Sequence, residues 1–142
     1  MPVAGYSGTP LPKKLGIKEG HALCLLGAPD DFDATLGELP LGVRRAPLAS
    51  PPLDVIVFFT KEAHLLEGRF AALKAALDFA GGLWIAWPKK ASGVATDLHE
   101  GLVRECGLSQ GLVDNKVCAI DETWSGLRFV YRREDRPKTR KR

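Results

Sequence analysis

Two short, strongly apolar segments near the middle of the chain constrain its fold more than any other feature. The first is Asp54–Phe59, DVIVFF, in which every residue after the aspartate is β-branched or aromatic, and the second is Leu83–Trp87, LWIAW. Apolar runs of this length, bounded by turn residues, are typical of strands that are buried on both faces of a parallel sheet. We therefore predict that both segments are central strands.

The segment between these strands, Lys61–Ala80, predicts an amphipathic helix. Its apolar residues recur at steps of four, three and four, and charged residues occupy the other side. The apolar positions are Leu66, Phe70, Leu73 and Leu77. Gly81 and Gly82 follow, and we expect them to end the helix. A strand, a crossover helix and a second strand form a right-handed βαβ unit, which makes the two strands parallel.

Shorter elements are expected before this unit. A helical turn is predicted over Pro12–Leu15, and the apolar run His21–Leu26 predicts a second buried strand. Helical spacing of apolar residues within Asp30–Leu39 indicates a short helix, which the following proline ends. Val43–Ala46 is expected to add a brief strand before a proline-containing loop.

The elements expected after the unit are one helix and one pair of strands. The helix covers Asp97–Cys106, with Thr96 or Asp97 as its N-cap and Gly107 as its stop. The strands Lys116–Asp121 and Leu127–Arg133 are separated by only five residues, which makes them antiparallel. The pattern therefore predicts one three-layer α/β domain over residues 1–131, with a mostly parallel sheet and a C-terminal antiparallel pair.

The positive charge of the chain is concentrated at its C-terminal end. Residues 132–142 hold seven basic and two acidic side chains, a net of +5, whereas the first 131 residues carry a net of −2. A general nucleic-acid-binding surface needs cations spread along a face, and this distribution argues against one outside the tail. The tail lacks apolar periodicity, and we expect it to be a frayed end.

Composition fits a folded protein of the cytoplasm. Hydrophobic residues make up 45% of the chain and charged residues 26%, which is enough to bury a core. No segment has the length and apolarity of a membrane helix or of a signal peptide. The three cysteines, Cys24, Cys106 and Cys118, are far apart and are expected to be reduced and inert. The three histidines are also scattered, so we predict no metal site.

The ligand-binding site is expected at the carboxyl edge of the sheet, because ligands of open α/β sheets bind there. The sharpest local feature is the loop Lys89–Gly93, in which two ammonium groups precede a helix N-terminus and favour an anion. A turn with carboxylates and a tryptophan, Asp121–Ser125, is predicted to face it across a crevice. The candidate ligand-binding residues are Lys89, Lys90, Ser92, Gly93, Asp121, Glu122, Trp124 and Ser125, with Tyr6 and Thr9 of the opening loop as a lid.

Each of these features also has a purely structural interpretation. The two lysines can be solvated surface charge, and the carboxylates Asp121 and Glu122 can pair with Lys89, Lys90 or Arg128. Trp84 lies inside an apolar strand and is expected in the core, whereas Trp87 ends that strand and fits either role.

Three long segments of the chain resemble a family of small bacterial proteins without an assigned activity. They are YSGTPLPKKLGI, GGLWIAWPKKASGVATDL and GLVDNKVCAIDETWSGLRFVYRR, and the resemblance covers nearly the whole chain. The order of elements also resembles the methyltransferase-like branch of the Rossmann-type folds, in a truncated form. That branch places an acidic residue and a glycine-rich turn against S-adenosylmethionine, where this chain has Leu25–Pro29. The second strand ends on Arg44 and Arg45 rather than on an acidic residue.

Two classes of function follow. The first is a non-catalytic binding or regulatory module for a small anionic or nucleotide-like ligand or for a protein partner. The second, implied by the resemblance, is a methyltransferase-like enzyme with a degenerate S-adenosylmethionine site. The residues name neither a reaction nor a cofactor, and we expect no micromolar affinity for S-adenosylmethionine.

Overall fold

The computed structural model describes residues 9–137, which form one six-stranded sheet with helices on both faces. The helices are α1 (Leu11–Lys14), α2 (Phe32–Leu36), α3 (Ala63–Ala76) and α4 (Glu100–Ser109). The strands are β1 (Ala22–Leu26), β2 (Arg44–Arg45), β3 (Leu53–Phe59), β4 (Leu77–Pro88), β5 (Leu112–Ala119) and β6 (Trp124–Tyr131). Two 3₁₀ turns cover Lys90–Ser92 and Arg133–Asp135.

The strand order is β2-β1-β3-β4-β6-β5. β2, β1, β3 and β4 are parallel, while β6 runs antiparallel to both β4 and β5. Ile56 of β3 lies beside Leu83 of β4, so the two apolar segments are adjacent parallel strands joined through α3, as predicted. The α/β class with a mostly parallel sheet and a C-terminal antiparallel pair is confirmed.

The strand side chains alternate between two core layers. One layer packs against α3 and α4 and contains Ile56, Leu83 and Ile85, and the other packs against α1 and α2 and contains Val57 and Trp84. Every residue of β3 is buried, since this strand is covered on both faces. Trp84 is fully buried, and its indole Nε1 donates to the carbonyl oxygen of Leu15 at 2.9 Å.

The prediction for the end of α3 is wrong. The helix stops at Ala76, and residues 77–80 already belong to β4, where Leu77 pairs with Leu53. Leu77 continues the apolar spacing of α3 and is also a buried residue of β4, so helical spacing alone could not locate the end of the helix. The two glycines lie inside β4 instead of ending the helix. A Cβ at Gly81 would lie 2.6 Å from the carbonyl oxygen of Asp54, so glycine allows β4 to approach β3.

The predicted bounds of α4 are also wrong. The helix begins at Glu100 with His99 as N-cap, whose Nδ1 accepts from the backbone N–H of Leu102 at 3.3 Å. Gly107 lies within the helix and contacts the ring of Phe129, where a Cβ would collide with the ring. The helix continues to Ser109, and Gly111 follows at φ +90°. Close packing on the sheet, and not helix termination, explains Gly107.

The C-terminal strands are an antiparallel pair, but each begins earlier than the sequence predicts. β5 starts at Leu112 and β6 at Trp124, so the turn between them covers residues 120–123. The backbone N–H groups of Ile120 and Asp121 both donate to the carbonyl oxygen of Trp124, at 2.9 and 3.3 Å. Trp124 therefore belongs to a strand and not to the turn.

The first part of the basic tail contacts the sheet. The guanidinium of Arg136 donates to the carbonyl oxygen of Tyr131 from Nε at 3.0 Å and from Nη2 at 2.8 Å. The rest of the tail, residues 138–142, lies outside the described residues. No helix within residues 9–137 is long and apolar enough to cross a membrane.

Candidate functional site

The loops predicted to carry the site do meet at one edge of the sheet. The parallel strands β1, β3 and β4 all end there, and the β5–β6 turn joins them because β6 is antiparallel to β4. Pro88, the last residue of β4, pairs with Trp124, the first residue of β6. Lys89 and Thr123 are consequently neighbours.

The predicted crevice between Lys89–Gly93 and Asp121–Ser125 is closed by a hydrogen bond. The backbone N–H of Lys89 donates to the carbonyl oxygen of Thr123 at 2.7 Å, which extends the β4–β6 pairing by one residue. The two segments therefore lie side by side in the plane of the sheet. Any ligand site must lie on one face of this edge and not between the two segments.

Strand alternation divides the predicted turn residues between the two faces. Ser125 pairs with Trp87 and shares its face with α3 and α4, whereas Trp124 belongs to the layer beneath α1 and α2. Successive residues of a strand point to opposite faces, so Trp124 and Ser125 do not face a common ligand.

Trp124 is packed among aromatic side chains. Its ring contacts that of Phe59 edge to face, with centroids 5.1 Å apart, and Phe59 contacts Phe32 in the same manner at 4.9 Å. All three side chains are buried, and Trp124 is only 9% exposed. Such pairs stabilise a core beyond the area that they bury. We refer to Phe32, Phe59 and Trp124 as the aromatic cluster.

The carboxylate of Asp121 shapes the β5–β6 turn. Its Oδ1 accepts from the backbone N–H groups of Thr123 at 2.8 Å and of Trp124 at 2.7 Å. This arrangement satisfies two donors that the turn leaves without a backbone partner. Glu122 is exposed, as is Thr9 at the start of the described chain, while Tyr6 lies outside the described residues.

A groove of about 630 Å³ lies beside the end of β4, on the face that carries α3 and α4. Four of the predicted residues line it: Lys89, Lys90, Gly93 and Ser125. Its other walls include Trp87 and Leu98 and the start of α4. The groove has the size of a small-molecule site and combines an apolar wall with a few polar groups. We call it the β4 groove.

Hydrogen bonds made by Ser92 fix the conformation of the loop Lys89–Gly93. Ser92 Oγ donates to the carbonyl oxygen of Lys89 at 2.7 Å and accepts from the N–H of Val94 at 3.1 Å. Gly93 adopts φ +76°, a conformation that favours glycine. Ser92 therefore positions the loop instead of lining the groove.

The charged side chains that line the β4 groove differ in whether they form an ion pair. Among residues 9–137, neither Lys89 nor Lys90 lies within 4.0 Å of a carboxylate oxygen, so the pairing with Asp121 or Glu122 considered from the sequence is absent. Glu100, by contrast, pairs with Arg104 at 2.6 Å. The hydrogen bonds that Arg104 donates to the carboxylates of Glu100 and Asp114 raise the pKa of Arg104. The groove thus presents cations toward a ligand.

The far wall of the groove is fixed to the start of α3. Asp97 Oδ1 accepts from the N–H of Ala63 at 2.8 Å, which caps that helix from another segment. Thr96 Oγ1 donates to the carbonyl oxygen of Lys61 at 2.6 Å. Both candidate N-caps of α4 are consequently engaged elsewhere, which leaves His99 to cap α4.

Sequence reasoning missed the residues of this wall, Thr96, Leu98 and His99. Thr96 and its neighbour Asp97 hold this wall through contacts with Lys61 and Ala63, more than thirty residues away. One local signal was present, since a histidine before Glu100 places a hydrogen-bond acceptor ahead of an acidic first turn. The position of the two lysines at the edge of the sheet could be predicted, because the sequence shows that they follow a buried strand.

The strand order reverses between β1 and β3, where ligands of open α/β sheets usually bind. Gly27, directly after β1, adopts φ +69°, and a Cβ there would lie 2.6 Å from the carbonyl oxygen of Phe59. The backbones of the two strand ends are therefore in close contact. The aromatic cluster occupies the face next to them, so this corner is filled by the protein's own side chains.

The end of β2 carries a cation that already has a partner. Arg45 Nη2 lies 2.7 Å from Asp33 Oδ1 of α2. A nucleoside ribose is usually held there by an acidic side chain that accepts from its hydroxyls. Arg45 itself supplies no acceptor, and the carboxylate beside it, that of Asp33, is paired with its guanidinium.

The three cysteines do not provide a nucleophile. Burial raises the pKa of the Cys24, Cys106 and Cys118 thiols, and Glu67 raises that of Cys106 further. For Cys118 the neighbouring Lys14 and Lys116 oppose the effect without reversing it. A raised pKa keeps a thiol protonated and unreactive. No cluster of metal-ligating side chains occurs in the part of the chain that the structure describes.

Solved structures that are similar to this chain include methyltransferases and complexes with SAH. The magnesium protoporphyrin IX methyltransferase ChlM of Synechocystis PCC 6803, with bound SAH, matches at 11% identity and a TM-score of 0.52, over 80% of this chain and 75% of that one. The ribosomal protein L11 methylase of Lactobacillus delbrueckii subsp. bulgaricus matches at 12% and 0.52, over 86% and 75%. A DhpI–SAH complex matches at 9% and 0.56, over 84% and 81%.

These matches confirm a Rossmann-like, methyltransferase-like fold for the chain. No protein-family model matches the sequence, and no curated protein matches it. The relation to a bacterial family without an assigned activity therefore stays a prediction.

Proposed function

We propose that this chain is a non-catalytic module that binds a small anionic, nucleotide-like ligand in the β4 groove. The observation that carries the proposal is the pair Lys89 and Lys90, which line an open groove and have no carboxylate within 4.0 Å among the described residues. Two uncompensated ammonium groups favour an anion, and the apolar wall formed by Trp87 and Leu98 suits a flat group beside it.

The polar groups of the groove support binding without chemistry. The Nδ1 of His99 accepts a backbone hydrogen bond, and the Glu100 carboxylate is paired with Arg104. A general base must be free to reach the proton that it removes, and these two groups are engaged.

A second candidate function is methyl transfer from S-adenosylmethionine, and the similar structures favour it. The solved chains include a methyltransferase with bound SAH and a methylase, and they match most of this chain. Against it stand the contact of Gly27 with Phe59, the aromatic cluster and the Arg45–Asp33 pair. These contacts fill part of the place where the fold would hold the cofactor, and the ion pair engages Asp33, the carboxylate beside the end of β2.

Titration calorimetry separates the two candidates. We expect a nucleoside monophosphate or diphosphate to bind the wild type, and S-adenosylmethionine and SAH to bind far more weakly. A dissociation constant of about 1 μM for S-adenosylmethionine, equivalent to about −8 kcal/mol, would make the methyltransferase the better interpretation.

The double variant Lys89→Ala with Lys90→Ala tests the groove itself. We expect it to lose nucleotide binding while its free energy of unfolding stays within about 0.5 kcal/mol of wild type, because both side chains lie on an exposed loop. A matched control, Lys13→Ala with Lys18→Ala, removes two exposed cations outside the groove and should bind normally. Equal loss in both variants, or in neither, would contradict the proposal.

A further inference from the structure

A second group of cations lies on the opposite face of the sheet, over β5 and β6. Arg128 of β6 pairs in register with Lys116 of β5 and with Trp84 of β4. Because Trp84 faces α1 and α2, the Arg128 side chain lies on that face. Its guanidinium packs directly on Gly82, where a Cβ would lie 2.6 Å from Cζ, and its Nη2 would lie 3.9 Å from a Cβ at Gly16.

The hydrogen-bonding capacity of Arg128 is poorly used. Its Nε is buried and has no hydrogen-bond partner. Its Nη1 reaches Asn115 Oδ1 only at 3.4 Å, which is a long hydrogen bond. Within residues 9–137, no carboxylate oxygen lies within 4.0 Å of this guanidinium. A partly buried cation without a counter-charge lowers the stability of a fold unless something else compensates for it.

The neighbouring charges add to the positive potential. Lys116 Nζ donates to the carbonyl oxygen of Lys14 at 2.9 Å, and Lys14 Nζ donates to that of Ala119 at 3.1 Å. These hydrogen bonds hold two ammonium groups beside the same strand pair. Burial, and next to it the charge of Arg136, lowers the pKa of Arg128. Lys116 is exposed and Arg128 is partly exposed, so the group is open to solvent.

We propose that Arg128 and Lys116 form a phosphate-binding site on the α1 face, separate from the β4 groove. A guanidinium offers parallel N–H groups that match two phosphate oxygens, and the ammonium group of Lys116 supplies the further charge that a dianion requires. The occupant is the phosphate monoester of a small molecule. A bound dianion compensates the charge that the protein leaves uncompensated at Arg128.

Inorganic phosphate is the probe, with acetate at matched ionic strength as the monoanion control. We expect saturable heat from phosphate and none from acetate. Arg128→Met should weaken phosphate binding about tenfold or more, because a charge-assisted hydrogen bond contributes about a factor of ten to affinity. Lys116→Met should weaken it by a smaller factor. Arg69→Met, which removes an exposed arginine on α3, is the matched control and should bind as wild type.

A readout without ligand excludes a purely structural role for Arg128. In phosphate-free buffer, Arg128→Met should melt at or above the temperature of wild type, because it removes an uncompensated cation and keeps an apolar stem over Gly82. A lower melting temperature together with unchanged phosphate binding would overturn the proposal. If Arg128→Met does not fold, Lys116→Met on the exposed strand decides by the same comparison of phosphate affinities.

The two anion proposals fail independently. If phosphate binding is lost in the double variant Lys89→Ala with Lys90→Ala but retained in Arg128→Met, the phosphate binds in the β4 groove. That result would overturn the second site alone. If Arg128→Met loses phosphate binding but still binds the nucleotide, the second site is supported. The β4 groove is then tested separately by the Lys89→Ala with Lys90→Ala variant.

Discussion

The two ends of the carboxyl edge differ in what fills them. At the β1–β3 corner, where the strand order reverses, Gly27 lies against the backbone of Phe59 and the aromatic cluster packs beside it. Beside β4, the chain leaves a groove of about 630 Å³ with two lysines that have no carboxylate partner in the described residues. A fold fixes where the strands end, but the side chains decide which part of that edge remains open. Among residues 9–137, the β1–β3 corner is packed with core side chains, and the groove beside β4 is open.

The largest expected effect tests whether the aromatic cluster is core. Trp124→Ala should lower the free energy of unfolding by about 3–5 kcal/mol, because it leaves a cavity against Phe59. Chemical denaturation measures the change. Leu41→Ala removes a leucine that is 81% exposed and should leave stability nearly unchanged. A loss below about 1 kcal/mol at Trp124 would mean that its ring is dispensable to the core and free for a ligand.

A pair of glycine substitutions sharpens the contrast between the two regions. Gly27→Ala should cost about 2–4 kcal/mol, because it adds a collision with the carbonyl oxygen of Phe59 to an unfavourable positive φ. Gly93→Ala has a similar φ but no heavy atom within 4 Å of the new Cβ, and should cost only about 1 kcal/mol. Equal losses would show that the corner is not closely packed. Thermal or denaturant unfolding provides the comparison.

Removing the hydrogen bond that attaches the groove wall to α3 should lower the free energy of unfolding by a moderate amount. Asp97→Ala removes the carboxylate that caps Ala63, and the absence of a helix cap costs about 1 kcal/mol. The same variant should increase hydrogen exchange at the N–H of Ala63 while leaving β1 and β3 protected. Asp33→Ala, which breaks an exposed ion pair, is the control and should cost less than about 0.5 kcal/mol. Exchange that is unchanged at Ala63 would contradict the role of Asp97.

The smallest effect is a dependence of stability on alkaline pH. Burial raises the pKa of Cys24 and Cys118 above the ordinary thiol value of 9.0, and these thiols contact different core layers. The unfolded chain therefore loses its thiol protons at lower pH than the folded chain. The contribution of these thiols to the free energy of unfolding is fully present below pH 9.0. It decreases as the pH rises, by at most about 1.4 kcal/mol per pH unit for each thiol.

Denaturation between about pH 8 and pH 10.5 measures this slope. Cys24→Ala should reduce it by the share of one thiol, so the two core layers can be compared. A slope that Cys24→Ala leaves unchanged would place the titration elsewhere, for example at Tyr131, whose pKa burial also raises.

Much of the fold could be predicted because the apolar residues that recur with strand or helix periodicity in the sequence are the residues that the structure buries. The apolar strand Asp54–Phe59 and the spacing of Leu66, Phe70 and Leu73 have one interpretation each. Leu77 has two, since it continues the helical spacing and also begins a strand, and pairing with Leu53 decides between them. Gly81 and Gly107 resemble helix stops in sequence, but each is required by a close neighbour distant along the chain.

The candidate site could be predicted only in part. Lys89, Lys90, Gly93 and Ser125 line the β4 groove, and their place at the carboxyl edge could be predicted because each lies next to the end of a strand there. Trp124 was grouped with them because the predicted turn included it, whereas β6 begins at Trp124 and strand alternation directs its side chain to the other face. The far wall was missed because Thr96 and Asp97 act through Lys61 and Ala63, and no local pattern indicates that these residues meet.

The position of β6 has a consequence for the newly synthesised protein. β4 forms hydrogen bonds along both edges, to β3 on one side and to β6 on the other, and β6 is the last strand in the sheet to leave the ribosome. Until residues 124–131 emerge, one edge of a long apolar strand has no partner. Exposed edges of this kind pair with other chains, so incomplete translation products that end before β6 are expected to aggregate.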